Sequence, residues 1–144
     1  MRLQLALNVD DLDEAIDFYS RMFGAGPDKI RDGYANFAIA NPPLKLVLFA
    51  GSGPGGTINH LGVETETADE VVAAESRLTD SGLETTGVDE TLCCYAEKTE
   101  TWVDGPDGLR WEWYVKKGDA EQFENVVVGA PTADGAEITG TCCA

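Results

Sequence analysis

Two stretches of this chain repeat one order of signals on either side of a glycine-rich spacer, and that duplication restricts the fold more than any other feature. The first stretch opens with an apolar run, Leu3 to Val9. A helix is predicted from about Asp11 to Phe23. Asp11-x-x-Glu14 is an aspartate version of the capping box, and Gly24 suits a left-handed C-terminal residue. Leu12, Ala15, Ile16, Tyr19, Met22 and Phe23 share one helical face. Strands are expected at 28–31, 34–38 and 44–49, parted by Asp32-Gly33 and Asn41-Pro42-Pro43. The spacer, Gly51-Ser52-Gly53-Pro54-Gly55-Gly56, lacks a Gly-Lys-Ser/Thr ending or a following helix start, which excludes a phosphate loop. The order then returns. A strand is expected at 59–64, Thr67-x-x-Glu70 opens a helix that closes at Gly82, and strands follow at 84–88, 91–96, 100–103 and 109–115.

This order predicts an α+β fold of two βαβββ modules, residues 1–50 and 57–117, joined by the linker 51–56 into one domain, 1–117. Short modules of this kind can curl into a pair of half-barrels around a shared metal cleft. Identities between the copies are few (Gln4-Leu5-Ala6-Leu7 aligns on His60-Leu61-Gly62-Val63), so the duplication rests on element order. An unrelated α+β domain is the alternative. From Gly118 to Ala144 small and acidic residues without a period predict a flexible tail, ending in Cys142-Cys143.

A hydrophobic fraction of 43% can fill a real core. Ten basic against 26 acidic residues leave a formal charge of -16, which argues against nucleic acid or an anionic membrane as partner. No apolar run approaches a membrane helix, and Asp10 and Asp11 interrupt the N-terminus too early for a secretory signal, so a cytoplasmic location is expected. The four cysteines form two adjacent pairs, a poor disulfide framework, and read as thiols or soft-metal ligands. His60 is the one histidine, so any nucleophile–histidine scheme must use it and a multi-histidine metal site within one chain is excluded.

Three residues at strand positions that can face such a cleft carry metal-binding chemistry: Gln4, His60 and Glu112. Imidazole, carboxylate and amide oxygen suit iron(II), manganese or zinc and leave coordination positions open for dioxygen and substrate. Glu112 stands between Trp111 and Trp113, so it points away from both, into the cleft or into water. Gln4 is the weakest donor, and alternation could equally set it on the solvent side.

Larger segments carry a resemblance. Gln4-Leu5-Ala6-Leu7-x-Val9-x-Asp11-Leu12 with Phe18-Tyr19, then His60-Leu61-Gly62-Val63, then Gly105-Pro106-x-Gly108-x-x-Trp111-Glu112-x-Tyr114 resemble the vicinal oxygen chelate superfamily of glyoxalases, bleomycin-resistance proteins and extradiol dioxygenases. Gly33 to Ala40, Pro42 to Leu48 and Cys93-Cys94-Tyr95-Ala96 with Trp102-Val103 are similar to a narrower group, the cadmium-induced protein and organoarsenical carbon–arsenic lyase family. The resemblance covers residues 1 to about 119. It implies a nonheme iron(II) dioxygenase that cleaves the carbon–arsenic bond of trivalent organoarsenicals and releases arsenite. Gln4, His60 and Glu112 would bind iron, or another divalent metal in its place. Cys93 and Cys94, with Tyr95 beside them, would hold the arsenic. The implied partners are an organoarsenical, dioxygen and soft ions such as As(III) or Cd(II), with the clefts formed within one chain or across a homodimer.

Adjacent side chains of a regular strand point to opposite faces, so Cys93 and Cys94 can grip one atom only from a turn, bulge or mobile loop. One departure from the family stands out: relatives often carry a lysine two residues before the tryptophan, whereas here Glu100 takes that place and Lys98 lies two earlier. Tyr34, Phe37, Tyr95 and Trp102 are candidates to line a pocket for the organic group, with ordinary packing the alternative for Phe37 and Trp102. Cys142-Cys143 is expected to have no essential catalytic role. Two other functions fit the same residues: a non-enzymatic cadmium- or arsenite-binding protein, and a glyoxalase-like isomerase or drug-binding protein. Against a glyoxalase-type site, the strand 44–49 offers Lys45 but no carboxylate.

Overall fold

In the computed structural model, which describes residues 1–124 and 126–128, alternation along the first strand, β1 (Arg2–Val9), sorts two kinds of side chain onto two faces. Leu5, Leu7 and Val9 pack with the helix α1 (Leu12–Phe23) through Leu12, Ala15, Ile16, Tyr19 and Phe23. Gln4, Ala6 and Asn8 are buried on the opposite face. The helix forms where capping predicts: Asp11 accepts from the Glu14 backbone N–H, and Gly24 closes it at φ 65°.

The strands β2 (Lys29–Arg31), β3 (Tyr34–Ile39) and β4 (Leu44–Ala50) form an antiparallel meander, and β4 pairs with β1 in parallel. The sheet order is β2-β3-β4-β1-β5, where β5 is Ile58–Glu64. Ala35, Phe37, Ile39, Leu46 and Leu48 complete the core under α1. Phe37 therefore belongs to ordinary packing and lines no pocket on the Gln4 face.

Met1–Val63 is one compact unit, and the second begins at Glu64. The boundary of compactness thus falls after β5, although the duplicated sequence pattern starts anew with that strand. The spacer explains why. Gly56 N–H donates to Asn8 O, Asn8 N–H to Thr57 O, and Gly55 N–H to the Asp10 carboxylate. A Cβ at Gly55 would lie 2.5 Å from that carboxylate, and one at Gly53 would lie 2.8 Å from Asn8 Nδ2. The glycines serve close packing against β1.

The second unit holds α2 (Ala68–Asp80), with the capping box of Thr67 and Glu70 complete. Its sheet runs β8 (Arg110–Asp119), β7 (Ala96–Asp104), β6 (Asp89–Cys93), β9 (Val126–Val127), all antiparallel. Together the units give the α+β fold that the element order predicts.

Three expectations need correction. No strand forms at 84–88; Gly87 is left-handed at φ 80° and only the Thr85–Val103 bridge is made. The run 91–96 breaks into a hairpin, because Cys94 and Tyr95 turn the chain. Residues 118–124 and 126–128 are not a loose tail, since β8 extends to Asp119 and β9 pairs with Thr91 and Leu92. Composition missed this because the anchoring there is made by backbone groups, which polar and small residues also possess. Residues 129–144, including Cys142 and Cys143, lie outside the described residues. Among the described residues no helix is long and apolar enough to cross a membrane.

Phe37 is fully buried beneath α1. Phe37→Ala should lower unfolding free energy by about 3–5 kcal/mol, measured by urea denaturation of the intact chain.

Candidate functional site

Cross-strand partners in a sheet share a face, so register shows what accompanies Gln4. Gln4 pairs with Lys45, Ala6 with Val47 and Asn8 with Phe49, and Phe49 in turn pairs with Tyr34. This buried polar face of the first unit also receives His60 from β5. Its ring lies 6.1 Å from that of Phe49, and Gln4 Nε2 is 3.0 Å from His60 Nε2. Alternation has therefore put Gln4 inside, at 5% exposure, and not in water.

A one-way hydrogen-bond relay fixes the imidazole. The Thr57 hydroxyl donates its proton to Pro54 O at 2.6 Å, so Oγ1 accepts from Asn8 Nδ2 at 2.9 Å. Asn8 Oδ1 then accepts from Asn59 Nδ2 at 3.0 Å, which leaves Asn59 Oδ1 facing His60 Nδ1 at 2.7 Å. An amide oxygen can only accept, so Nδ1 carries the proton. In the neutral ring Nε2 then offers its lone pair, here toward the Gln4 amide N–H, in the tautomer a metal ligand needs. Sequence reading missed Asn8 and Asn59; the available signals were a polar residue at a buried position of β1 and an amide directly before the histidine on β5.

In the second unit the register gives an equally definite face. Trp102 pairs with Glu112 and Glu100 with Tyr114, while Thr91 pairs with Lys98 and Cys93 with Ala96. Cys93, Lys98, Glu100, Trp102 and Glu112 accordingly share one side of the β6–β7–β8 sheet. Trp111 and Trp113 lie on the other, where Arg77 of α2 stacks over Trp113 at 5.8 Å. Glu112 faces away from the tryptophans, as its flanks predict, and is wholly buried. Trp102 packs under the Arg110 guanidinium, 4.5 Å from its ring centre.

Glu112 Oε1 accepts from Lys98 Nζ at 2.6 Å, and the same ammonium is 3.6 Å from Glu100 Oε2. Burial pushes the Glu100 carboxyl up to about 7; the Lys98 ammonium pulls against this and Glu112 adds to it. Lys98 was visible in the sequence only as a displaced charge two residues from its expected place. Strand alternation keeps 98 and 100 on the same face, so the displacement does not move the lysine off the site.

Cys93 ends β6 and Ala96 begins β7, so Cys94 and Tyr95 are a two-residue hairpin loop. Their φ angles, 52° and 61°, are both left-handed, the pattern of a type I′ turn usually built with Asn-Gly. The turn solves the strand-face problem: the Sγ atoms of Cys93 and Cys94 lie 3.0 Å apart, both residues being buried. Residues 120–123 clasp it. Cys94 N–H donates to Phe123 O, Tyr95 N–H to Gln122 O and Ala120 N–H to Tyr95 O, and the Tyr95 and Phe123 rings are 5.8 Å apart.

The family model of the glyoxalase/bleomycin resistance protein/dioxygenase superfamily matches residues 3–113. The chain belongs to this superfamily. It is 52% identical over 142 residues to the cadmium-induced protein CadI of Mycobacterium tuberculosis, with 99% of this chain and 92% of the relative covered. It is 49% identical over 149 residues to the trivalent organoarsenical cleaving enzyme of Thermomonospora curvata, with 99% of each covered. Its fold is similar to an extradiol ring-cleaving dioxygenase from B. fuscum, with TM-score 0.59 and 20% identity over 84% of this chain and 34% of that one.

Membership of the glyoxalase/dioxygenase superfamily implies a divalent metal cofactor, and the residues fit one. His60 presents a lone pair at Nε2, and Glu112 is a buried carboxylate that holds a cation against it, as such a charge requires. Among the described residues no three His, Cys, Asp or Glu side chains gather to hold a metal.

If the relay sets the tautomer, Asn59→Leu should convert His60 from a single Nδ1–H form to a mixture, read by 15N NMR of metal-free protein. Metal affinity should fall by about 10–100-fold. An unchanged imidazole spectrum would show that Asn59 does not control the ring.

Proposed function

We propose that this protein cleaves the carbon–arsenic bond of trivalent organoarsenicals, with iron(II) held by Gln4, His60 and Glu112 and arsenic held by Cys93 and Cys94. The observation that carries this reading is the left-handed Cys94-Tyr95 turn, which brings two buried sulfurs to 3.0 Å. Soft thiolates select a soft centre, whereas the amide, imidazole and carboxylate suit a harder divalent metal.

The residues divide the work. In their dithiolate form Cys93 and Cys94 would anchor the arsenic. Because Cys93 and Glu112 share a sheet face, the anchor would present the substrate toward the metal-binding carboxylate and replace a chance encounter with a positioned one. Tyr95 would lie along the anchored substrate, and Tyr34 and Phe49 form an aromatic edge beside His60, their rings 5.5 Å apart. His60 Nε2 would hold the metal with its ring orientation already fixed by Asn59, and Glu112 would supply the carboxylate. Iron(II), when bound, supplies the one-electron chemistry that dioxygen requires.

A second reading follows from the 52% identity to a protein named for induction by cadmium: sequestration of soft ions by the thiols without turnover. Isomerase chemistry of the glyoxalase type has less support, since the residue facing Gln4 on β4 is Lys45, a cation in place of a fourth ligand.

Protein loaded anaerobically with iron(II) should release arsenite from a trivalent aryl arsenical only when oxygen is admitted. Cys93→Ala and His60→Ala should each reduce the rate by at least about 100-fold. Full activity in the Cys93→Ala, Cys94→Ala double variant would overturn the arsenic anchor, and tight cadmium binding with no arsenite released would favour sequestration.

A further inference from the structure

Lys98 is a buried cation that neither the proposed metal set nor the arsenic anchor uses. It is 6% exposed, among Glu100 at 2% and Glu112 at 0%. Its Nζ hydrogen-bonds Glu112 Oε1 at 2.6 Å and sits 4.9 Å from the centre of the Tyr114 ring. Glu100 Oε2 lies 3.6 Å from the same nitrogen, close enough for ion pairing, and has no hydrogen-bond partner. The ammonium therefore has two stations: one fully engaged, the other an acceptor left open beside it. An ammonium has three rotatable N–H donors on a flexible stem, so moving between stations needs side-chain rotation alone.

Charge explains why two stations are useful. A buried carboxylate without a cation is costly, so Glu112 needs a positive neighbour before any metal arrives. Once a divalent ion sits on Glu112, that neighbour becomes a repulsive like charge at a few ångströms. A cation that could only stay would oppose the metal; one with a second carboxylate on its own strand can withdraw.

We propose that Lys98 is a placeholder for the metal: it neutralises Glu112 in the metal-free protein and withdraws to Glu100 when a divalent ion takes the carboxylate. Lys98 and Glu100 are thus positioning residues that set how easily the site fills. The inference rests on the reading of Glu112 as a metal ligand.

The test is the dissociation constant of Mn(II) for metal-stripped full-length protein, measured by chelator competition at one pH. Glu100→Gln removes the second station and should weaken Mn(II) binding about tenfold. Lys98→Met removes the competitor and should tighten it by a similar factor. In the Lys98→Met background Glu100→Gln should then change affinity by no more than about twofold, because the two residues act as one device. Lys98→Gln serves in the same way should Lys98→Met fail to fold, as judged by circular dichroism. An equal loss from Glu100→Gln in both backgrounds, or weaker Mn(II) binding on removal of Lys98, would overturn the proposal. Glu112→Gln separates the two readings. If it leaves Mn(II) affinity unchanged, Glu112 is not a ligand and the underlying reading fails. If it weakens binding at least about 100-fold while the Lys98–Glu100 pattern is missing, only the placeholder role fails.

Discussion

The constraint on which both candidate faces depend is the period of two along a strand, which forces each sheet to own a helix-covered side and a second side. In the first unit α1 takes up the apolar set of β1, β3 and β4. Gln4, Asn8 and Asn36 are left on a side that is nonetheless buried, where every polar atom must be accounted for. Most are accounted for by the Asn8–Asn59–His60 relay. The Asn36 amide nitrogen donates to the Tyr34 hydroxyl at 2.7 Å, while its carbonyl oxygen has no hydrogen bond. A core built only for stability would have filled this side with aliphatic residues.

The second unit obeys the same geometry with charge in place of amides. Lys98, Glu100 and Glu112 are adjacent on one face because 98 and 100 are two apart on β7 and 112 is on the neighbouring strand β8. A buried trio of one cation and two carboxyls is a poor source of stability compared with apolar packing. The proposed metal site would account for its persistence in a sheet interior. The hydroxyls of Thr91 and Thr101, also buried without hydrogen-bond partners, show how far polarity extends through this sheet.

Much of the scaffold was legible in the sequence because it is written in local rules. Asp11 and Thr67 mark both helix starts, and the dipeptide Asp32-Gly33 marks the β2–β3 turn. The flanking tryptophans correctly orient Glu112. What was not legible depends on partners distant along the chain. The strand expected at 84–88 had adequate composition but no pairing strand beyond one bridge. Residues 118–124 and 126–128 had poor composition yet met β6 and the cysteine turn. The burial of Lys98 could not be read from a strand of alternating charges, since the same pattern describes a solvated edge. The cysteine pair was constrained by elimination to a non-extended conformation, but a turn with two successive non-glycine residues at positive φ is a rare choice that only the fold reveals.

That turn has an evolutionary consequence. Asparagine–glycine would satisfy the backbone of positions 94 and 95 with less steric conflict, and an L-residue in the left-handed region costs roughly 1–2 kcal/mol. Any drift that favours folding alone would therefore replace Cys94 and Tyr95. On the proposed arsenic anchor, position 94 is where selection for a durable hairpin and selection for a second sulfur pull in opposite directions. A consensus-based effort to harden this protein would meet one of its tempting substitutions at a residue the proposed anchor can least spare.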